Sequence, residues 1–168
     1  MFHRLLALTL ILSGFLGSAS AANAEQPRCY TVQSLQGAWA VIGTYGANVA
    51  KGIGQRDLEE NGDFAGTFVL NAPTAGSTTG ARTITTGTNV GTYAVNCDGS
   101  GTITRIVTSS NGTTASQVDD FMITAATVRG GRLIATAMAD TQRTASVLVP
   151  GGIFLTRVHT RLPNREER

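Results

Sequence analysis

From about residue 37 onward the chain alternates. Trp39, Val41, Gly43 and Tyr45 fall on one face of an extended segment, and Ala38, Ala40, Ile42 and Thr44 fall on the other. A period of two sends successive side chains to opposite faces of a strand. A second run covers residues 50–59, where Gly54, Arg56 and Leu58 share a face. Glu60-Asn61-Gly62-Asp63 reads as a hairpin turn, and Phe64, Gly66, Phe68 and Leu70 then line one side of a third strand. The polar, Gly/Ser/Thr-rich stretch 71–80 predicts a loop. Strands resume at 82–86 and 91–97, and Asp98-Gly99-Ser100-Gly101 is the strongest turn signal in the chain. Further strands are expected at 102–108, 117–126, 132–139, 146–149 and 152–161. Residues 29–36 suit a short helical turn with Val32, Leu35 and Tyr30 on its inner side.

Eight or nine evenly spaced strands in consecutive hairpins predict an all-β domain. A sheet of that size twists and must cover its own apolar face. Closing into an antiparallel up-and-down barrel of about eight strands does this and removes the edges. A β-sandwich predicts much the same pattern and remains the alternative.

The first two dozen residues follow a different pattern. Arg4 precedes an apolar run from Leu5 to Leu16, and small residues follow up to Ala24. These are the three parts of a secretory signal peptide. Ala22-Asn23-Ala24 places cleavage after Ala24, with Ala19-Ser20-Ala21 as the competing site. The apolar run is shorter than the roughly 20 residues that span a bilayer, so neither an anchor nor a later transmembrane segment is expected. The sequence thus divides into a signal peptide (1–24), one domain (25–161) and a charged tail (162–168) expected to be disordered. Its destination is the periplasm or the extracellular space.

Composition agrees with that reading. Gly is abundant, Lys51 is the only lysine, and thirteen basic residues face eleven acidic ones. Such a balance, with scattered basic residues, gives no reason to expect nucleic acid. Cys29 and Cys97 are the only two cysteines, and an even count in an exported chain argues for a disulfide. It would close a loop of 68 residues, contributing about 4 kcal/mol by chain entropy. No metal site or cofactor is expected: there is no C-x-x-C pair, and His159 is the one histidine past residue 3.

Gly37-Ala38-Trp39, just after the helical turn, is similar to the G-x-W opening of lipocalins and wider calycin-type barrels. In those barrels the Trp closes one end and an Arg near the close of the last strand packs over it. The resemblance gives Trp39 that place and Arg157 the covering role, with Arg161 as second choice. The wider chain resembles a large group of uncharacterised exported bacterial proteins. The matching pieces are Leu35-Gln36-Gly37-Ala38-Trp39, the segment from Glu60 to Gly66, and Gly91-Thr92-Tyr93-Ala94-Val95-Asn96-Cys97-Asp98-Gly99-Ser100-Gly101-Thr102. Allene-oxide-cyclase-like and dirigent-like barrels are similar in architecture, and some of them catalyse or guide cyclisations.

The chemistry-bearing positions are few. Arg56 points inward if Leu58 does, and a charge inside a barrel needs a partner. Asp120, on a face with Val118 and Met122, is the candidate partner. Together they read as a structural ion pair or as an anchor for a ligand such as a carboxylate. Tyr93 shares a face with Val95 and Cys97, and its hydroxyl is either satisfied within the core or presented to a ligand carbonyl. Arg157 and His159 share a face with Ile153 and Leu155, with His159 read as a surface histidine ahead of an acid–base group. Asp57, Glu59 and Glu60 read as a solvated edge. There is no nucleophile elbow and no phosphate-cradling loop. The expectation is therefore a non-catalytic barrel binding a small apolar molecule or a surface partner. The alternatives are a barrel isomerase or cyclase using Arg56, Tyr93 and Asp120, and a structural envelope protein with a filled core.

Overall fold

The computed structural model describes residues 28–45, 50–145 and 154–163. The expected signal peptide with both cleavage sites, the expected strand at 146–149 and most of the charged tail lie outside the described residues. A four-residue helix, α1 (Val32–Leu35), precedes eight strands: β1 (Gly37–Tyr45), β2 (Ala50–Leu58), β3 (Asp63–Pro73), β4 (Arg82–Val95), β5 (Ser100–Ser109), β6 (Thr114–Arg129), β7 (Arg132–Gln142) and β8 (Leu155–Arg161). Each strand pairs antiparallel with the next, and β8 pairs with β1, so the sheet is a closed barrel. Closure excludes the sandwich. None of the described helices is long and apolar enough to cross a membrane.

The hairpins form where the turn chemistry predicts them. Gly62 and Gly99 take φ of +92° and +89°, which side chains resist. At the second turn Asp98 Oδ1 accepts from the Ser100 amide at 2.9 Å and from its hydroxyl at 2.7 Å. Residues 82–95 form one long strand rather than the two short ones expected, paired with β3 from Asp63–Thr92 out to Pro73–Arg82. The glycines at 87 and 91 do not break it. A Cβ at 87 would fall 2.6 Å from the Phe68 ring, so the missing side chain makes room for that ring.

The expected inner faces are observed. Trp39 and Val41 on β1, Arg56 and Leu58 on β2, and Phe64 and Leu70 on β3 are buried. One end of the barrel is packed with Leu35, Trp39, Leu58, Phe64, Tyr93, Ile103, Phe121, Ala135 and Met138. α1 covers this end, held by several tethers. The Cys29–Cys97 disulfide, as expected, ties the segment before α1 to the end of β4. The Trp39 indole donates to the Leu35 carbonyl at 2.8 Å. A smaller apolar group, Ala50, Leu70 and Ala72 with Phe68 against them, sits elsewhere in the barrel.

A charged layer inside the barrel

Moving one inward position along the strands changes the chemistry. On β2 the step runs from Leu58 to Arg56, on β5 from Ile103 to Arg105, on β6 from Phe121 to Asp119, and on β7 from Met138 to Asp140. On β8 the inward positions are Arg157, His159 and Arg161. Arg56, Arg105, Arg157, Asp119, Asp140 and His159 are all buried, with Asn89, Gln117 and Gln142 beside them in sequence register.

These groups are mutually bonded. Arg105 forks onto Asp119, Nε to Oδ2 at 2.7 Å and Nη2 to Oδ1 at 3.3 Å. Arg157 spans both acids, with Nη2 at 2.7 Å from Asp119 Oδ2 and Nε donating to Asp140 Oδ1 at 2.7 Å. Asp140 Oδ2 meets His159 Nε2 at 2.8 Å. Arg56 Nη1 reaches the same oxygen only at 3.5 Å and makes no hydrogen bond. The Arg56 guanidinium lies over the Phe64 ring, 5.4 Å from its centre. Gly66 lets this happen: a Cβ there would sit 3.0 Å from Arg56 Cγ.

The shifts follow from the packing. Burial pulls the Arg56 guanidinium down to about 9, assisted by the charges of Arg157 and Arg105 and opposed by Asp140 and Asp119. It therefore stays protonated at neutral pH. Burial likewise lowers His159, to about 4, against its bond to Asp140. His159 is thus a neutral imidazole donating through Nε2, and its Nδ1 has no partner. Burial pushes Asp140 up, but the His159 bond and the charges of Arg157 and Arg56 outweigh it and hold the carboxyl well below its usual range.

The predicted site residues do not converge. Arg56 is inside, as expected. Asp120 faces outward, half-exposed, and bonds Arg143 at 2.6 and 2.7 Å, so it is not the partner of Arg56; Asp140 is the nearest acid. The correction is a one-residue phase shift on β6: Asp119 is the inward acid. Tyr93 belongs to the apolar end, where its hydroxyl bonds the carbonyls of Glu59 and of Val32 (3.1 Å), and burial raises it to about 12. Arg157 does not cover Trp39. Arg161 does, 4.8 Å from the ring centre, and it also bonds the carbonyls of Ala135, Ser34 and Gln36. His159 is fully buried rather than at the surface. Asp119, Asp140 and Arg105 went unrecognised in the sequence, although Arg105 stands two residues from both Ile103 and Val107, and Asp140 two from Met138.

Beside the charged layer lies a cavity of about 50 Å³. Val41, Phe68 and Val107 give it apolar walls, Gly43, Gly52 and Gly54 provide the space, and Arg56, Asn89, Arg105 and Arg157 reach it. No group of acids, histidines and cysteines among the described residues is arranged to hold a metal. No known protein family, curated protein or solved structure matches the chain.

Proposed function

We propose that this domain is an exported binding protein that holds a small molecule inside its barrel without transforming it. The observation that carries this reading is the cavity at the charged layer, where the packing of the apolar end gives way to glycines. Apolar walls with a few fixed polar groups are the usual lining of a ligand site. The disulfide is compatible with the oxidising compartment that export implies. Catalysis has less support. Arg56, Tyr93 and Asp120 are apart, and His159 is too weak a base near neutral pH and does not line the cavity.

The test is native mass spectrometry on protein purified from its own host. A co-purified small molecule is the expected result. Val107→Phe, which fills the cavity, should abolish it while leaving the β-sheet circular dichroism unchanged. Ligand-free protein from every preparation, with no probe responding to Val107→Phe, would return the barrel to the filled structural alternative.

A further inference from the structure

Three arginines and two aspartates share the charged layer. With His159 neutral, three positive charges against two negative leave one positive charge uncompensated. The hydrogen bonds identify which one. All four carboxylate oxygens are engaged by Arg105, Arg157 and His159. Arg56 is 96 % buried, since its exposure is 4 %, and its Nη1 has no hydrogen-bond partner. It also lines the cavity. Across the same cavity stands Asn89, equally buried, whose Oδ1 has no partner either. Arg157 Nη2, also on the cavity, makes no hydrogen bond but keeps an ion-pair contact with Asp119 Oδ2 at 2.7 Å. Arg56 Nη1 and Asn89 Oδ1 have no such close contact, and leaving them on one small space is costly unless something fills it.

We infer that the cavity receives a small monocarboxylate, its head group bound by Arg56 and Asn89. This rests on reading the cavity as a ligand site. A carboxylate accepts two bonds from a guanidinium fork. Rotation of the Asn89 amide about its last bond presents Nδ2 as a further donor. One surplus charge matches a monoanion; a dianion such as phosphate would leave a negative charge buried in its turn. The size agrees. At about 10–15 Å³ per water-sized probe, the space takes about four such volumes, a carboxylate with one or two carbons beyond it. Val41, Phe68 and Val107 suit those carbons.

Propionate, propionamide and inorganic phosphate are the probes, titrated calorimetrically into the protein at low ionic strength. Propionate should bind at least tenfold more tightly than its neutral isostere and than phosphate. Arg56→Met should weaken propionate tenfold or more and leave propionamide unchanged. Asn89→Leu, close in shape, should weaken propionate about threefold, and serves should Arg56→Met not fold. Equal binding of propionate and propionamide, or tighter binding of phosphate, would overturn the carboxylate while the cavity stood as a ligand site. Binding of none of the three, with a ligand still seen in host-purified protein, would also overturn it. Binding of none, with ligand-free host protein, would remove the site itself.

Discussion

At the α1 end of the barrel, Leu58, Phe64, Ile103, Phe121 and Met138 meet around Trp39; one inward step along the same strands, arginines and aspartates meet around His159. The side chains of both regions are buried, and they are held by different forces. The apolar end needs no directional bonds among its rings, and its fixed points are at the rim: the disulfide, the Trp39 indole and Arg161. The charged layer is held mainly by directional bonds from Arg105, Arg157 and His159 to the two aspartates, and a cavity lies beside it. Its cohesion is conditional, because buried charges hold together only while each keeps its counter-charge. The difference separates the parts of the barrel: one end is held by apolar packing and rim tethers, and the layer above by pairing of opposite charges.

Removing Asp140 should break the layer most severely. Asp140→Ala strips an anion from Arg157, Arg56 and His159 together, and breaking a buried pair costs about 3–5 kcal/mol; a loss near the top of that range is expected in urea unfolding. Arg56→Met in the same layer should be neutral or stabilising, since Arg56 is the surplus cation and its nearest charges include two arginines. Asp140→Ala costing no more than an ordinary surface change would mean that the layer is not an interdependent network. At the other end, a Cys29→Ser, Cys97→Ser double variant should lose about 4 kcal/mol by chain entropy. Its loss should show first as access of a quencher to Trp39, with propionate affinity preserved. Unchanged stability on reduction would sink the idea that the rim bears the load at that end.

The pattern of the sequence made the barrel legible and the layer mostly not. Turns such as Asp98-Gly99 and the alternation in β1 to β3 leave few other ways to close the sheet. The phase of a strand is readable only where its two faces differ. On β2, Leu58 set the phase and Arg56 was placed inside. On β6, Val118 and Met122 face out while Phe121 faces in, so apolar residues stand on both faces and the wrong aspartate is selected. β1 shows the same ambiguity, with Val41 inside and Ile42 exposed. A charge network hides from pattern reading for a simple reason: each member looks like a surface residue until its partner, often many residues away on another strand, is known. Arg161 and Arg157 differ by four residues, and both face inward; which of them covers Trp39 depends on the β1–β8 register, Trp39 opposite Arg161 and Gly43 opposite Arg157.

Acid should distinguish the two regions next. The unfolded chain protonates His159 near pH 6.5, while the folded chain waits until about 4. Between those values the unfolded state binds more protons, so stability falls as pH is lowered from 6.5 to 4, by about 3 kcal/mol in all. The contribution is complete above 6.5. Below 4 the histidine term is flat, and Asp140, held below the usual carboxylate range, continues the loss. His159→Gln keeps a donor for Asp140 and should flatten the slope between 6.5 and 4. An unchanged slope in that variant would assign the acid sensitivity to other groups. Nothing in the apolar core around Trp39 titrates in this window, so quencher access to Trp39 should follow global unfolding rather than precede it.

The smallest effect is expected from Arg161→Lys. Lysine keeps the charge and can remain near the ring, but it loses the planar fork that bonds the carbonyls of Ala135, Ser34 and Gln36 at once. A cost of about 1–2 kcal/mol is expected, drawn from a cation–π contact and partly exposed hydrogen bonds. The reporter is the Trp39 indole proton, which is bonded to Leu35 and should exchange faster when α1 loosens. Arg161 and His159 are adjacent inward positions on β8, so this variant also asks whether the two regions communicate along the strand. Independent regions predict that Arg161→Lys and His159→Gln add to within about 0.5 kcal/mol. They also predict that the stability slope between pH 6.5 and 4 is unaltered by Arg161→Lys. A coupling larger than that, or a shifted acid transition, would show that the plug end and the charged layer form one cooperative unit, and the contrast between them would then be one of composition alone.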